Sequence, residues 1–274
     1  MIKRKHLIIS LVFLLWFSPL YALDTHQPFL KTLEPYKPIF VLTTFFLNNA
    51  GEDQGYQNQE LHIQYSFKKR LLQSLFFAYS HKSFWQLYDK ENSRSFRENN
   101  YNPELFLEFN NLQEIEYLRI GLLEHESNGE KQRFAENAIP VNNSRTWNRC
   151  YLFGQQTLSD SLKLGIKLWM VTDQEDSDFG SFYEDNRDIQ QYMGNGEVYL
   201  HSHFSALSIS MMLRKGWKDE TETVRLEGQL PLHQLINTDN TGIDIYFQAF
   251  SGYGDSLIDY NRKIDRFSIG FSAR

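Results

Sequence analysis

Hydrophobic and polar residues alternate with a period of two along much of this chain. Stretches with this pattern cover residues 61–67, 162–170, 207–213, 224–232 and 243–248. Successive side chains of a β-strand point to opposite faces, so each stretch has one apolar face and one polar face. The alternation therefore predicts an all-β protein.

The number of strands follows from their spacing. Polar turns such as residues 48–52 and 237–242 separate the alternating segments. At roughly 20 residues per strand and connection, residues 39–274 accommodate about 12 antiparallel strands. A soluble β-sandwich and a membrane-spanning barrel both produce this alternation, and the pattern alone leaves the two open.

Two features of the strands favour a transmembrane β-barrel. Aromatic residues make up 15% of the chain and gather near predicted strand ends, as at Trp85, Tyr151 and Tyr253. Membrane barrels carry such aromatic girdles at both interfaces of the bilayer. The polar faces carry Lys, Arg, Glu and Gln throughout, as expected of a polar lumen.

The N-terminus has the features of an export signal. Lys3, Arg4 and Lys5 precede an apolar run at residues 7–17, and small residues offer a cleavage point after Ala22. We therefore predict a signal peptide at residues 1–22. Residues 23–38 contain three prolines and are predicted to form an irregular periplasmic lead-in, and the barrel is predicted to occupy residues 39–274.

Charge and cysteine content exclude several classes of protein. The formal net charge is -6 for the whole chain. It falls to about -9 once the three cations of the leader are removed, which argues against a nucleic-acid partner. Cys150 is the single cysteine, so no intramolecular disulfide can stabilise the fold after export.

Residues 121–129 and 144–149 contain the candidate chemistry. His125 and Ser127 lie two positions apart, so in a strand both side chains emerge on one face, with backbones about 7 Å apart. The imidazole can then accept the hydroxyl proton of the serine. Glu124 and Glu126 must point to the other face, so neither carboxylate is the obvious partner of the histidine.

Asn148 is the candidate for the third member of a triad. An antiparallel neighbour can supply the group that orients a general base from directly across the ladder. A neutral amide suits a site facing lipid, because an ionised carboxylate there would carry a large desolvation cost. Gly129 could offer its backbone amide to an oxyanion. A His-x-Ser pair by itself is weak evidence, because most such pairs are surface residues without chemistry.

The wider sequence resembles the outer-membrane phospholipase A family, whose signature contains His-x-Ser-Asn-Gly and a later Ser-Arg-Ser/Thr-Trp-Asn. The resemblance covers about residues 40–272 and includes residues 83–87, 96–101, 192–194 and 251–261. It implies a twelve-stranded barrel that crosses the bacterial outer membrane many times, with its active site on the lipid-facing surface. The implied substrates are acyl esters of phospholipids and lysophospholipids. The implied catalytic residues are Ser127, His125 and Asn148.

The resemblance also implies calcium dependence and activation by homodimerisation. The family's metal positions fall on Ser93, Glu130 and Ser144, and oxygen ligands of this kind suit calcium. Glu130 stands where the family commonly has arginine, and His81 replaces a glutamine used across the dimer contact. Residues 134–141 are an insertion in the loop after Gly129, which costs little closure entropy at this length.

This interpretation leaves two alternative functions open, and it raises a question about the face of the strand on which Arg119 lies. A catalytically silent barrel acting as a pore or scaffold is the main alternative, and a soluble exported lipase is the second. The joint presence of Ser127, His125, Asn148 and Gly129 favours the enzyme. Arg119 shares its strand parity with His125, so it is expected to face outward as well and to reach the inner membrane interface.

Overall fold

The computed structural model describes most of the chain. The described residues are 32–48, 56–91, 93–112, 115–129, 142–172, 186–236, 239 and 241–273. The predicted signal peptide, Glu130 and the predicted insertion at 134–141 lie outside them. No helix within these ranges is long and apolar enough to cross a membrane.

Antiparallel strands make up nearly all of the regular structure. The described strands are β1 Leu33–Pro35, β2 Ile39–Phe46, β3 Gln59–Arg70, β4 Leu75–Trp85, β5 Phe96–Leu112, β6 Ile115–Ser127, β7 Thr146–Ser159, β8 Leu162–Val171, β9 Gly196–Phe204, β10 Leu207–Lys215, β11 Glu222–Pro231, β12 Ile243–Gly252 and β13 Ile264–Ala273. Two short helices are described, α1 Ile189–Met193 and α2 Leu232–Ile236.

Strands β2 to β13 close into a barrel. Each strand pairs with its neighbours along the chain, and β13 also pairs with β2, where Phe271 lies opposite Val41. The resulting ring of 12 antiparallel strands confirms the predicted all-β barrel. Closure leaves none of these 12 strands as an open sheet edge, which a sandwich of two sheets would have.

The segment before the barrel contains a short strand where an irregular segment was expected. β1 pairs with Phe67 to Lys69 of β3, next to the part of β3 that pairs with β2. β3 is 12 residues long and so offers room to both strands along one edge. Pro38, which lacks an N–H, stands between them, and its carbonyl accepts a hydrogen bond from Gln64 Nε2 at 2.7 Å.

The two faces of the barrel wall differ in polarity. Apolar side chains such as Leu152, Leu168 and Met170 are exposed on the outside, with Met170 70% exposed. The lumen contains a cavity of about 970 Å³ lined mainly by polar and charged side chains, including His62 and His201. The interior is therefore a network of polar groups, whereas the outer surface is apolar.

Ion pairs fill part of the lumen. They include Arg97–Glu60, Arg214–Glu197, Arg149–Glu124 and Arg266–Asp255. Asp255 lies in the connection between β12 and β13, and its burial opposes ionisation. The Arg266 guanidinium, 2.6 Å away, outweighs burial and holds the pKa of Asp255 at about 2. The pair therefore stays ionised at neutral pH.

A β-bulge in β6 decides which residues face outward. Gly121 lies opposite Tyr151 and Glu124 opposite Arg149, so β6 uses one residue more than β7 over this interval. On the other side, Leu123 lies opposite Leu105 and Gly121 opposite Phe106. Leu122 is therefore the extra residue relative to both neighbours. Bulges of this kind reverse the alternation beyond them.

The prediction that Arg119 faces outward is wrong, and the bulge is the reason. Arg119 lines the lumen, where its Nη1 donates to Tyr36 Oη at 2.6 Å. Glu124 and Glu126 also line the lumen, so His125 between them faces outward. Arg119 and His125 are six residues apart and would share a face in a regular strand. The extra residue at Leu122 lets Arg119 face inward while His125 faces outward.

Deletion of Leu122 is expected to be tolerated. The deletion leaves every other cross-strand partner of β6 in place, because Leu122 is the residue without a counterpart. The barrel should therefore fold and keep its heat-modifiable migration in detergent gels. Deletion of Ile166 from β8, whose neighbours pair with it regularly at this point, is the matched control and should prevent folding. Equal folding of the two deletion variants would contradict this account of the bulge.

Candidate active site

Three side chains on the outer face of β6 and β7 form a hydrogen-bonded row. His125 Nδ1 lies 2.7 Å from Asn148 Oδ1, and His125 Nε2 lies 3.0 Å from Ser127 Oγ. All three residues are partly exposed. None of them lines the lumen cavity, whereas the alternating residues Glu124 and Glu126 do.

The backbone arrangement explains the short contact between His125 and Asn148. The two residues are direct cross-strand partners. The carbonyl of Asn148 accepts from the Thr172 N–H at 3.0 Å, so the backbone polar groups of Asn148 point away from β6. The pair is therefore the non-hydrogen-bonded kind, in which Cα atoms are only about 4.5 Å apart and side chains approach closely.

Opposite charges behind the triad connect β6 to β7 inside the lumen. Arg149 Nη2 lies 3.0 Å from Glu124 and 3.1 Å from Glu126, and Trp147 Nε1 donates to Glu126 at 3.0 Å. The Arg149 guanidinium also stacks over the Trp147 ring at 3.7 Å. Lys167 adds a second cation, 2.9 Å from Glu124. These contacts hold the register that brings His125 opposite Asn148.

The chain leaves β6 through a turn that requires glycine. Gly129 has φ +62, and a Cβ at this position would lie 3.1 Å from the Tyr101 ring. Asn128 is buried beside it, with its Nδ2 donating to Asn143 O at 2.7 Å and its Oδ1 accepting from Arg145 N at 2.9 Å. The Asn-Gly pair therefore fixes the exit of the strand next to Ser127.

The two described members of the predicted metal set lie in loops. Ser93 has φ 58, and the carbonyl of Ser144 accepts from Arg145 Nη1 at 2.7 Å. Within the described residues there is no group of three His, Cys, Asp or Glu side chains that could hold a metal. Serine hydroxyls are oxygen donors, so Ser93 and Ser144 fit a hard cation such as calcium rather than a transition metal.

A second His-x-Ser pair lies on the outer face of β4. His81 Nε2 is 2.9 Å from Ser83 Oγ, and Ser83 in turn donates to Asn99 Oδ1 at 2.7 Å. His81 stacks on Tyr65 at 4.9 Å between ring centroids, and Tyr101 packs edge-on against it. Because the Ser83 hydroxyl donates to Asn99, its proton points away from His81. The motif alone therefore does not identify a nucleophile.

Two asparagines that were not predicted from the sequence support the site from neighbouring segments. Asn186 precedes α1 and binds both backbone groups of Thr146, at 3.0 Å and 2.9 Å, where β7 begins. Asn102 on β5 donates from the lumen to the carbonyl of His125 at 2.8 Å. Neither contact leaves a periodic signal in the sequence. Pro103, which lies in β5 and has no N–H, marks a position where the hydrogen-bond ladder cannot be regular.

Comparison with known protein sequences gives a consistent family. The model of the phospholipase A1 family matches residues 23–273. The phospholipase A1 of Escherichia coli K12 is 31% identical over 201 residues, which is 70% of this chain and 60% of that protein. The phospholipase A1 of Proteus vulgaris is 27% identical over 261 residues, 87% of this chain and 80% of that protein. The chain thus spans 60% of the length of the Escherichia coli relative.

Solved structures show the same architecture. The outer membrane phospholipase A of Escherichia coli has a TM-score of 0.72 and 27% identity, covering 89% of this chain and 98% of that chain. A Salmonella typhi outer membrane phospholipase, described as a dimer with bound calcium, has a TM-score of 0.74 and 27% identity. That match covers 92% of this chain and 94% of the other.

Proposed function

The chain belongs to the phospholipase A1 family, and from this premise we propose that it is a calcium-dependent outer-membrane hydrolase of phospholipid and lysophospholipid acyl esters. The observation that carries the proposal is the hydrogen-bonded row of Ser127, His125 and Asn148 on the apolar outer face of the barrel. A substrate held in the surrounding lipid reaches this face by lateral movement, without entering the lumen.

Each member of the row has a distinct part in the proposed reaction. The amide oxygen of Asn148 accepts the Nδ1 proton of His125, which leaves the Nε2 lone pair directed at Ser127. Ser127 Oγ attacks the acyl carbonyl carbon while His125 takes its proton. The histidine then gives this proton to the departing alcohol oxygen of the lipid. Water, activated by the same histidine, releases the fatty acid and restores Ser127.

The oxyanion that forms on the acyl carbonyl needs a donor. Gly129 follows Ser127 by two positions, so the turn there has a backbone amide close to Ser127 in sequence. The absence of a Cβ at Gly129 leaves space in front of the Tyr101 ring. Removal of one oxyanion-hole donor costs about 3 kcal/mol in acyl transfer. We therefore assign the Gly129 N–H to the oxyanion.

Calcium is proposed to bind beside the oxyanion at Ser93, Glu130 and Ser144. When bound, the ion would supply positive charge, and a polarised water, near the developing oxyanion. The two serine hydroxyls contribute neutral oxygens, and Glu130 would add the negative charge that a divalent cation needs.

The proposed partner is a second copy of this chain. The outer face of β3 to β5, next to the triad, carries an aromatic patch formed by Tyr65, Tyr79, His81 and Tyr101, of which Tyr65 and Tyr101 are exposed. This aromatic patch supports a contact between two barrels that would cover the active site. His81 would contribute an imidazole where the family uses an amide.

Release of fatty acid is the test of the proposed function. Mature protein folded in detergent should release fatty acid from phospholipid and from lysophospholipid in mixed micelles that contain calcium. A long-chain sulfonyl fluoride should label it at Ser127, and calcium should increase cross-linking to dimers. Absence of both hydrolysis and labelling in a folded barrel would favour the silent pore or scaffold. Solubility of the folded protein without detergent would favour an exported lipase.

A further inference from the structure

We propose that Asn102 is a positioning residue for His125, acting through the backbone carbonyl of the histidine; the proposal rests on the function proposed above. Asn102 belongs to β5, lines the lumen and is buried. Its Nδ2 donates to His125 O at 2.8 Å. The contact passes from the lumen to the backbone of a residue whose side chain lies outside the barrel.

The His125 carbonyl needs this donor because its ladder partner is a proline. Tyr101 lies opposite Ser127 and Glu104 opposite Glu124, so the register puts Pro103 opposite His125. The pairing of β5 with β6 lapses at positions 102 and 103. Proline has no N–H, so it cannot donate across the ladder. A buried carbonyl left without a donor is costly, so a side chain takes this place.

The orientation of the His125 backbone agrees with this assignment. The carbonyl of Asn148 bonds to Thr172, so Asn148 and His125 form a non-hydrogen-bonded pair. The backbone polar groups of His125 therefore point away from β7 and toward β5. On β5 the backbone of His125 faces Pro103, and Asn102 is the residue before this proline.

Lys37 fixes which end of the Asn102 amide faces His125. Lys37 Nζ donates to Asn102 Oδ1 at 2.7 Å and to Glu104 Oε1 at 2.6 Å. An ammonium group can only donate, so the amide oxygen must face Lys37 and the NH₂ must face the carbonyl. The donor is thus pre-oriented by the segment between β1 and β2.

The triad segment of β6 depends on such side-chain contacts more than the rest of the strand does. The bulge at Leu122 separates the triad segment from the first part of β6. The Leu122 carbonyl accepts a hydrogen bond from Cys150 Sγ at 3.1 Å. Asn102 holds the other side of the segment at His125. Loss of the Asn102 donor would let the His125 backbone tilt and would change the distance from Nε2 to Ser127 Oγ.

Replacement of Asn102 by leucine tests the proposal. The Asn102→Leu variant should show kcat lowered roughly 10- to 100-fold on a short-chain soluble ester, with KM nearly unchanged, because small misplacements at a reacting centre have effects of this size. Asn100→Leu is the matched control. Asn100 lies on the same face of the same strand, is buried, and donates to Glu98 rather than to β6. It should retain the activity of the original protein.

A second substitution separates positioning from general stability. Pro103→Ala restores a backbone N–H opposite the His125 carbonyl, so the Asn102→Leu/Pro103→Ala variant should regain most of the lost kcat. Heat-modifiable migration should show all variants folded. Full kcat in Asn102→Leu, or a loss that Pro103→Ala does not repair, would overturn the role of Asn102 while leaving the proposed function intact. An inactive original protein would overturn both.

Discussion

Replacement of Ser127 by alanine is expected to lower fatty acid release by about 10⁶-fold, the scale found when a catalytic serine is removed. The reason is that the methyl group leaves His125 Nε2 without the hydroxyl that lies 3.0 Å from it. The barrel should be unaffected, because Ser127 is on the outer face and its side chain takes no part in the lumen network. Titration of released fatty acid from mixed micelles measures the effect.

The second His-x-Ser pair provides a matched control for that experiment. Ser83 lies 2.9 Å from His81 Nε2, a geometry close to that of Ser127, but its proton goes to Asn99. Ser83→Ala should therefore retain activity and labelling by the sulfonyl probe. A loss of activity in Ser83→Ala as large as that in Ser127→Ala would show that the wrong pair was chosen.

Removal of calcium by a chelator is expected to lower activity by about 10²- to 10³-fold, the range associated with loss of one oxyanion-stabilising group. The physical reason is the loss of positive charge next to the oxyanion that forms on the acyl carbonyl. Added calcium should restore the rate and magnesium should not, because magnesium demands a tighter octahedral site. The measurement is fatty acid release against free calcium concentration.

The position of the metal can be tested with two serines of one loop. Ser93→Ala should raise the calcium concentration that gives half-maximal activity, because it removes a proposed ligand. Ser95→Ala, two residues further along and exposed, should leave that concentration unchanged. Full activity in chelator, with the protein shown to be free of metal, would count against calcium dependence altogether.

Much of the fold was predictable because a barrel wall has a simple period. Each strand separates lipid from a polar lumen, so its residues must alternate, and the alternation at residues 162–170 and 243–248 appears again in β8 and β12. The spacing of those segments predicted about 12 strands, and the barrel has 12. The short β1 was not predictable, because it depends on the part of β3 that extends beyond its pairing with β2.

The candidate site was predictable in composition and only partly in geometry. His125 and Ser127 share a face because they are two residues apart, which holds in any strand. Spacing did not show which face that is, and the expectation of the lipid-facing side came from the family resemblance. Counting back from His125 predicted the wrong face for Arg119, because the extra residue at Leu122 has no signature in the hydrophobic pattern and is recognised only against both neighbouring strands.

By itself the sequence determined the strand period, a number of strands near 12 and the pairing of His125 with Ser127 on one face, because each of these depends on local spacing along the chain. The tertiary structure decided which residues of β6 face the lumen and how close His125 lies to Asn148. It also decided that Asn102 donates to the His125 carbonyl in place of Pro103. These features depend on which residues face each other across strands that are distant in sequence. Cross-strand register is a property of the closed sheet, so no single segment contains it.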